Sequence, residues 1–251
     1  MIPKIVHYIW FGPNPYPRKM VRCIESWKKY LPDYEFKLWN EDTFNINEAT
    51  SFVREAYEAK YYAFVSDYVR FYVLKEFGGI YLDTDVEVLR PIDDSILCND
   101  LVLVLDDCGY ISGSTIMSSI GNVFIGDCLK HYHNTSFNMG NNRFNTEVIN
   151  THMQNRLKPY GYICENKNQM LKYKGTEAMI YSDEYFHVRS LVSGRMNRTL
   201  NSYAIHWHTI TWVSTKTQII NFLRINLLIP LLGVKLYTKI TRFFKNGKTT
   251  L

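Results

Sequence analysis

No run of about 18 apolar residues occurs in this 251-residue chain, so no membrane-spanning helix is expected from it. The five cysteines (Cys23, Cys98, Cys108, Cys128 and Cys164) are odd in number, widely spaced and without a CxxC pair. That pattern argues against a disulfide frame and a cysteine-based zinc site, and reduced thiols in a cytosolic compartment are the simplest expectation. The start runs from Met1 directly into an apolar segment holding Lys4 and His7, without the layout of a secretory leader. Neither an internal repeat nor a low-complexity linker is present. Acidic residues are missing altogether from Val213 to Leu251, where Lys216, Arg224, Lys235, Lys239, Arg242, Lys245 and Lys248 stand. These seven account for more than the whole net charge of +5, and residues 1–212 keep 22 basic against 24 acidic side chains, a net of −2. A basic nucleic-acid footprint over the main body is not supported, and the basicity belongs to a tail.

What is plentiful is aromatic: 19 Tyr, 14 Phe and 5 Trp, 15% of the chain. Such rings suit sugar and base stacking, and they suit a core equally well. Lys4–Phe11 reads as a first strand ended by Gly12-Pro13, Arg18–Tyr30 as a helix, and Tyr34–Trp39 as a second strand. From Asn47 to Phe77 the pattern is helical with a break near Lys60; Gly78-Gly79 caps it, and Ile80–Leu82 opens a strand. Leu101–Leu105 is a buried strand by its unbroken apolar run. Alternating strands and helices predict an α/β layer architecture. Residues 108–200, rich in Asn, Tyr and Gly, give no clear pattern.

The chemistry concentrates in Gly78-Gly79-Ile80-Tyr81-Leu82-Asp83-Thr84-Asp85. Carboxylates two apart on an extended chain project to one side. At the end of a buried strand they are costly unless a cation compensates them. Oxygen donors of this kind suit Mg²⁺ or Mn²⁺, with a diphosphate filling the remaining positions. In the preceding helix the only charges between Ala63 and Leu74 are Asp67 and Arg70. A helix apolar nearly all round is buried, and charges at i, i+3 can meet. They form either a structural ion pair or a pair that addresses sugar hydroxyls and phosphates. Further on, Ala204-Ile205-His206-Trp207-His208 places two histidines on one face of a strand, and one of them can complete a metal shell begun by Asp83 and Asp85.

At this point the residues resemble a family. Pro3 to Gly12, Ser26-Trp27-Lys28-Lys29, Pro32-Asp33-Tyr34-Glu35, Trp39-Asn40-Glu41, Ser66 to Arg70, Gly78 to Glu87 and His206 to Trp212 occur in the order seen in glycosyltransferase family 32. These are the DXD sugar transferases of capsular-polysaccharide and yeast-type α-mannosyltransferase kind; more distantly the chain resembles the catalytic domain of clostridial glucosylating toxins. The resemblance implies a Rossmann-like GT-A fold over residues 1–212, a divalent metal (Mn²⁺ or Mg²⁺) and a nucleotide-sugar donor, a UDP-sugar favoured over a GDP-sugar. It also implies a retaining reaction and a glycan or lipid-linked oligosaccharide acceptor in surface polysaccharide synthesis. No carboxylate nucleophile is evident in the sequence, which favours a front-face route over double displacement through a covalent glycosyl-enzyme. By position, Trp10 matches the ring that stacks on the nucleobase and Tyr81 the residue beside the ribose. Asp67 and Arg70 match the pair that holds donor sugar and phosphates. Asp83 and Asp85 match the metal carboxylates, His206 the C-terminal metal histidine, and Trp212 an aromatic that closes over the donor.

Residues 213–251 read as a basic amphipathic tail. After Gly233, Leu236, Tyr237, Ile240, Phe243 and Phe244 fall on one helical face and Lys235, Lys239 and Arg242 on the other. This is the pattern of an interfacial helix drawn to an anionic membrane, or else of a helix packed on the domain. Peripheral attachment to the cytoplasmic face of the membrane is the expectation. Two rival readings differ in class. The first is a nucleotide- or sugar-binding module without turnover. The second takes Asp83-Thr84-Asp85 with Asp106-Asp107 as superficially similar to the aspartyl-phosphate phosphatases of the haloacid dehalogenase type. The 20 residues Val86–Leu105 contain no Lys and are too few for the intervening elements of those enzymes.

Overall fold

A computed structural model of the chain describes residues 1–137, 146–209, 215–233 and 236–237. In chain order it runs β1 (Ile5–Ile9), α1 (Arg18–Tyr30), β2 (Glu35–Trp39), α2 (Ser51–Glu58), α3 (Tyr62–Phe77), β3 (Gly79–Leu82), β4 (Val86–Val88), α4 (Asp94–Leu97) and β5 (Leu101–Leu105). There follow β6 (Ile111–Ser118), α5 (Val123–His131), α6 (Thr146–Leu157), β7 (Gln169–Tyr173), β8 (Thr176–Tyr181), α7 (Asp183–Phe186), β9 (Ala204–His206) and α8 (Thr215–Leu223). The strands and helices expected as far as Leu105 are all present. The break between α2 and α3 falls at Lys60, whose φ of 62° no helix tolerates.

Seven strands form one sheet in the order β2-β1-β3-β6-β5-β8-β7. β1 is parallel to β2 and β3, and β5 to β8, while β6 is antiparallel to both β3 and β5, and β7 to β8. Five strands therefore point one way and two, β6 and β7, the other. The sheet is mixed, and the architecture is α/β. Each face is covered. In β3 and β5, Tyr81, Leu101, Leu103 and Leu105 pack with α2, α3, α5 and α6, whereas Ile80, Leu82, Val102 and Val104 pack with α1, α4 and α7. That two-sided burial explains why these strands read as unbroken apolar runs rather than alternating ones.

His7 ties β1 to β3 at the centre. Trp39 donates its indole N–H to His7 Nδ1 at 3.1 Å, so the ring proton sits on Nε2 and is donated to the Gly78 carbonyl at 2.8 Å. Burial lowers the His7 pKa to about 4, against the hydrogen bond to Gly78, which raises it. Gly79 lies against the same place. Its φ is 98°, and a Cβ there would stand 2.6 Å from the Ile5 carbonyl oxygen and 3.3 Å from His7 Nε2.

The region without a clear pattern resolves into β6, α5, α6 and the β7–β8 hairpin. The hairpin turns on Lys174-Gly175, both at positive φ. At the other end, α8 continues through a π turn at Arg224–Leu228 to residue 233. Ile229 is buried there, while Ile219, Ile220, Phe222, Leu223, Leu227, Leu228, Leu231 and Leu232 are exposed. Of the amphipathic helix read after Gly233, only Leu236 and Tyr237 are among the described residues; Lys235, Lys239, Ile240, Arg242, Phe243 and Phe244 lie outside them.

Candidate active site

The site begins where β3 ends. Parallel β1 and β3 finish side by side, so Trp10 and Asp83 both lie just beyond carboxyl ends of adjacent strands, the place where α/β sheets open to ligands. The Asp83 amide donates to the Ser114 carbonyl of β6 at 2.8 Å, which turns the chain away from the sheet. The Val86 amide then donates to the Asp83 carbonyl at 2.9 Å, closing a turn that presents Asp83 and Asp85 together.

α3 supplies the next layer. Arg70 donates to Asp67 Oδ1 at 2.8 Å and to the Gly113 carbonyl at 2.5 Å, lies 3.6 Å from Asp83 Oδ1, and sits 4.7 Å above the Tyr81 ring. Tyr81 is itself buried, and its hydroxyl donates to Asp83 Oδ1 at 2.5 Å. Tyr81 and Arg70 thus both face the first DXD carboxylate. Burial pushes the Asp67 carboxyl up to about 7 against the pull of Arg70, with Asp83 adding to the rise. For Arg70, burial works against the charge and is outweighed by Tyr81, Asp83 and Asp67, so the guanidinium stays charged. Gly113 permits this packing, because a Cβ there would stand 2.8 Å from Arg70 Nη1.

The third layer comes from far along the chain. β4 follows the DXD turn and pairs antiparallel with β9, Val86 opposite His206. His206 Nε2 is thereby placed 3.3 Å from Asp85 Oδ1 and 3.9 Å from Asp83 Oδ2. The Trp207 amide donates to the Asp85 carbonyl at 3.1 Å and the Thr209 amide to Asp85 Oδ2 at 2.5 Å. Burial opposes the Asp85 charge, but His206 and the Thr209 amide outweigh it and hold the carboxyl below its usual range. On His206 the balance is reversed: burial alone would lower its pKa, and Asp85 and Asp83 raise it. The aspartates therefore demand positive charge at this point.

Ligand atoms of Asp83, Asp85 and His206 all lie within 4.8 Å of one another. Two carboxylates and one imidazole fit a divalent cation, and the nitrogen donor suits Mn²⁺ better than Mg²⁺. Asp67, Arg70, Tyr81, Asp83, Asp85 and His206 are thus in one place, with Trp10 at the neighbouring strand end. There the Trp10 ring stands 5.0 Å from that of Tyr16, and its indole donates to the Asn14 carbonyl at 2.7 Å. Trp212 lies outside the described residues. A cleft of about 600 Å³ beyond β2, lined by residues such as Glu41, Arg54 and Tyr57, contains neither Trp10 nor the aspartates.

Several members of the site carry no signal that sequence reading can use. His187 follows α7, is buried, and meets His206 Nδ1 through its Nε2 at 2.8 Å. Arg189 donates to the Trp207 carbonyl at 2.9 Å, and Lys19 of α1 lies 4.1 Å over the Trp207 ring. Each is an isolated residue in an irregular or amphipathic stretch, brought in by pairing of distant segments.

Residues 17–103 match the model of the "Glycosyltransferase sugar-binding region containing DXD motif". The chain is 37% identical over 95 residues to the inositol phosphoceramide mannosyltransferase 3 of Schizosaccharomyces pombe, covering 37% of this chain and 26% of that protein. It is 31% identical over 96 residues to the mannosyl phosphorylinositol ceramide synthase CSH1 of Saccharomyces cerevisiae, covering 37% and 25%. It therefore spans about a quarter of the length of these curated relatives. A solved glycosyltransferase involved in glycosylating the major capsid of PBCV-1 aligns over 82% of this chain and 95% of that one, at 13% identity and a TM-score of 0.43. That likeness is too low to carry an argument. The match to the family model covers α1, the buried ion pair of α3 and the D-x-D turn Asp83-Thr84-Asp85.

Proposed function

We propose that the protein is a metal-dependent, retaining glycosyltransferase of GT-A type. It takes a hexose or N-acetylhexosamine from a nucleotide sugar to a glycan or glycolipid acceptor. One observation carries the reading: Asp67 and Arg70, Asp83 and Asp85, and His206 come from three separate segments to one strand end, the first four of them inside the span that matches the sugar-binding region. A bound divalent cation supplies charge neutralisation for the departing diphosphate. Asp83, Asp85 and His206 would hold it. Arg70 is the fixed cation facing the phosphates, and Asp67 accepts hydroxyls of the donor sugar. Tyr81, through its bond to Asp83, keeps that carboxylate aimed. Trp10 offers a face to the base, and Trp212 is assigned to the donor by the sequence resemblance alone.

The acceptor is read as lipid-borne. The relatives' names refer to ceramide lipids, and α8 with the residues up to Leu232 leaves eight large apolar side chains exposed beside a basic tail. Residues 213–251 are accordingly proposed as a tail resting on an anionic membrane, with residues 1–212 as the transferase body at its cytoplasmic face. The mannosyl names put GDP-mannose beside the UDP-sugars as donors to screen. Thermal shift with UDP, GDP and their sugars, each with Mn²⁺ and with EDTA, tests the reading. Metal-dependent stabilisation by one nucleotide, and donor hydrolysis lost in Asp83→Ala, support it. Nucleotide binding without hydrolysis or transfer in any pairing would make the chain a binding module instead.

A further inference from the structure

The geometry points to a second cation site whose donors are all nitrogens: His187, His206 and His208 hold a transition metal of the Zn²⁺ class. Ligand atoms of the three lie within 4.8 Å of one another, and their ring centroids are 4.8, 4.6 and 4.1 Å apart. Three imidazoles in contact gain little from each other as hydrophobes. As ligands they match the three-histidine sets that bind zinc.

Three further features bear on the site. His208 donates Nε2–H to the Arg189 carbonyl at 3.0 Å, which leaves the Nδ1 lone pair free. A ring N–H held by a backbone carbonyl is the usual support of a metal-binding histidine. His208 also has a φ of 54°, a left-handed backbone that a non-glycine residue adopts at a cost and that clusters at functional sites. Finally, His187 is buried and its Nδ1 has no hydrogen-bond partner, although such atoms are nearly always satisfied. An ion taken by Nδ1 would satisfy it; one taken by Nε2 would replace the 2.8 Å contact to His206 and the 3.3 Å contact to the Ser112 hydroxyl. Tetrahedral donors at about 2.0–2.1 Å from zinc stand about 3.3 Å apart, so the latter needs only a slight widening.

The two cation sites compete. His206 faces Asp85 through Nε2 and His187 through Nδ1, and a neutral imidazole has one lone pair to give. An ion held by the three histidines through His206 Nδ1 withdraws that ring from the aspartates. The inference rests on the proposed transferase reading only through this shared ring, and its test needs no turnover.

Titration of the full chain with Co²⁺ alone should produce the intense visible bands of a tetrahedral nitrogen site, and stoichiometric Zn²⁺ should remove them. His208→Asn, a residue that tolerates left-handed backbone, and separately His187→Gln should each abolish the bands. Asp83→Asn/Asp85→Asn should keep them while losing Mn²⁺ binding measured by electron paramagnetic resonance. The inference is overturned if wild type binds no Co²⁺. It is equally overturned if the spectrum is weak and octahedral, or if the bands survive both histidine variants and vanish with the aspartates. Bands in a chain that, free of Co²⁺ and Zn²⁺ and supplied with Mn²⁺, neither hydrolyses nor transfers any donor would sink the transferase reading and leave the site intact.

Discussion

At the residue scale, Arg70 is the hinge of the site, for it neutralises Asp67, approaches Asp83 and covers Tyr81 at once. Arg70→Ala leaves Asp67 buried without its cation, a loss that ordinarily costs about 3–5 kcal/mol. Urea unfolding should show that loss, and nucleotide-dependent stabilisation should vanish with it. A residual stability equal to wild type would mean that Asp67 takes a proton at no cost. Gly113→Ala is a subtler probe of the same group. Its Cβ would push Arg70 from the Gly113 carbonyl, so metal-dependent nucleotide affinity should fall while the fold survives. An unchanged affinity would show that the guanidinium has room to move.

At the element scale, the DXD turn depends on β3 lying tightly on β1. Gly79→Ala forces a side chain into a φ of 98° and against the Ile5 carbonyl. The backbone term alone is roughly 1–3 kcal/mol, and the collision adds to it. Unfolding midpoints should drop accordingly; a near-neutral result would show that the strand pair can spread. α8 raises a different question, because its exposed apolar residues look outward rather than into the core. Ile220→Asp/Phe222→Asp should leave thermal stability unchanged and abolish flotation with phosphatidylserine vesicles. Equal flotation of the variant would remove the membrane role from this helix.

At the scale of the whole molecule, the chain holds neutral histidines outside the metal-ligand cluster, His7 buried and His152 half-buried. His7 and His152 are both lowered to about 4, chiefly by burial. The unfolded chain takes up these protons near pH 6.5, while the folded chain resists until about pH 4, so the unfolded state binds more protons in between. Stability is therefore complete above about pH 6.5 and is lost as pH falls through that window. His7 alone contributes at most about 3 kcal/mol. His7→Gln can still accept from Trp39 and donate to Gly78 without titrating, and should flatten the dependence of urea midpoint on pH. An equally steep dependence in the variant would assign acid sensitivity to other groups.

The sequence by itself determined the local grammar. Period and caps placed β1, α1, β2, α2, α3, β3 and β5, because each is set by neighbours within a few residues. The i, i+3 spacing of Asp67 and Arg70 and the x-spacing of Asp83 and Asp85 dictated which side chains meet. What lay beyond reach was whatever depends on distant pairing. β6 is antiparallel between β3 and β5, and nothing in its Gly- and Ser-rich run announces that it supplies the carbonyls that hold Arg70 and Asp83. His206 was legible as a candidate, but its meeting with Asp85 was decided by the pairing of β4 with β9 across more than a hundred residues. His187 was not legible at all, since a lone histidine after a one-turn helix acquires meaning only when the tertiary fold sets its ring against His206 and His208.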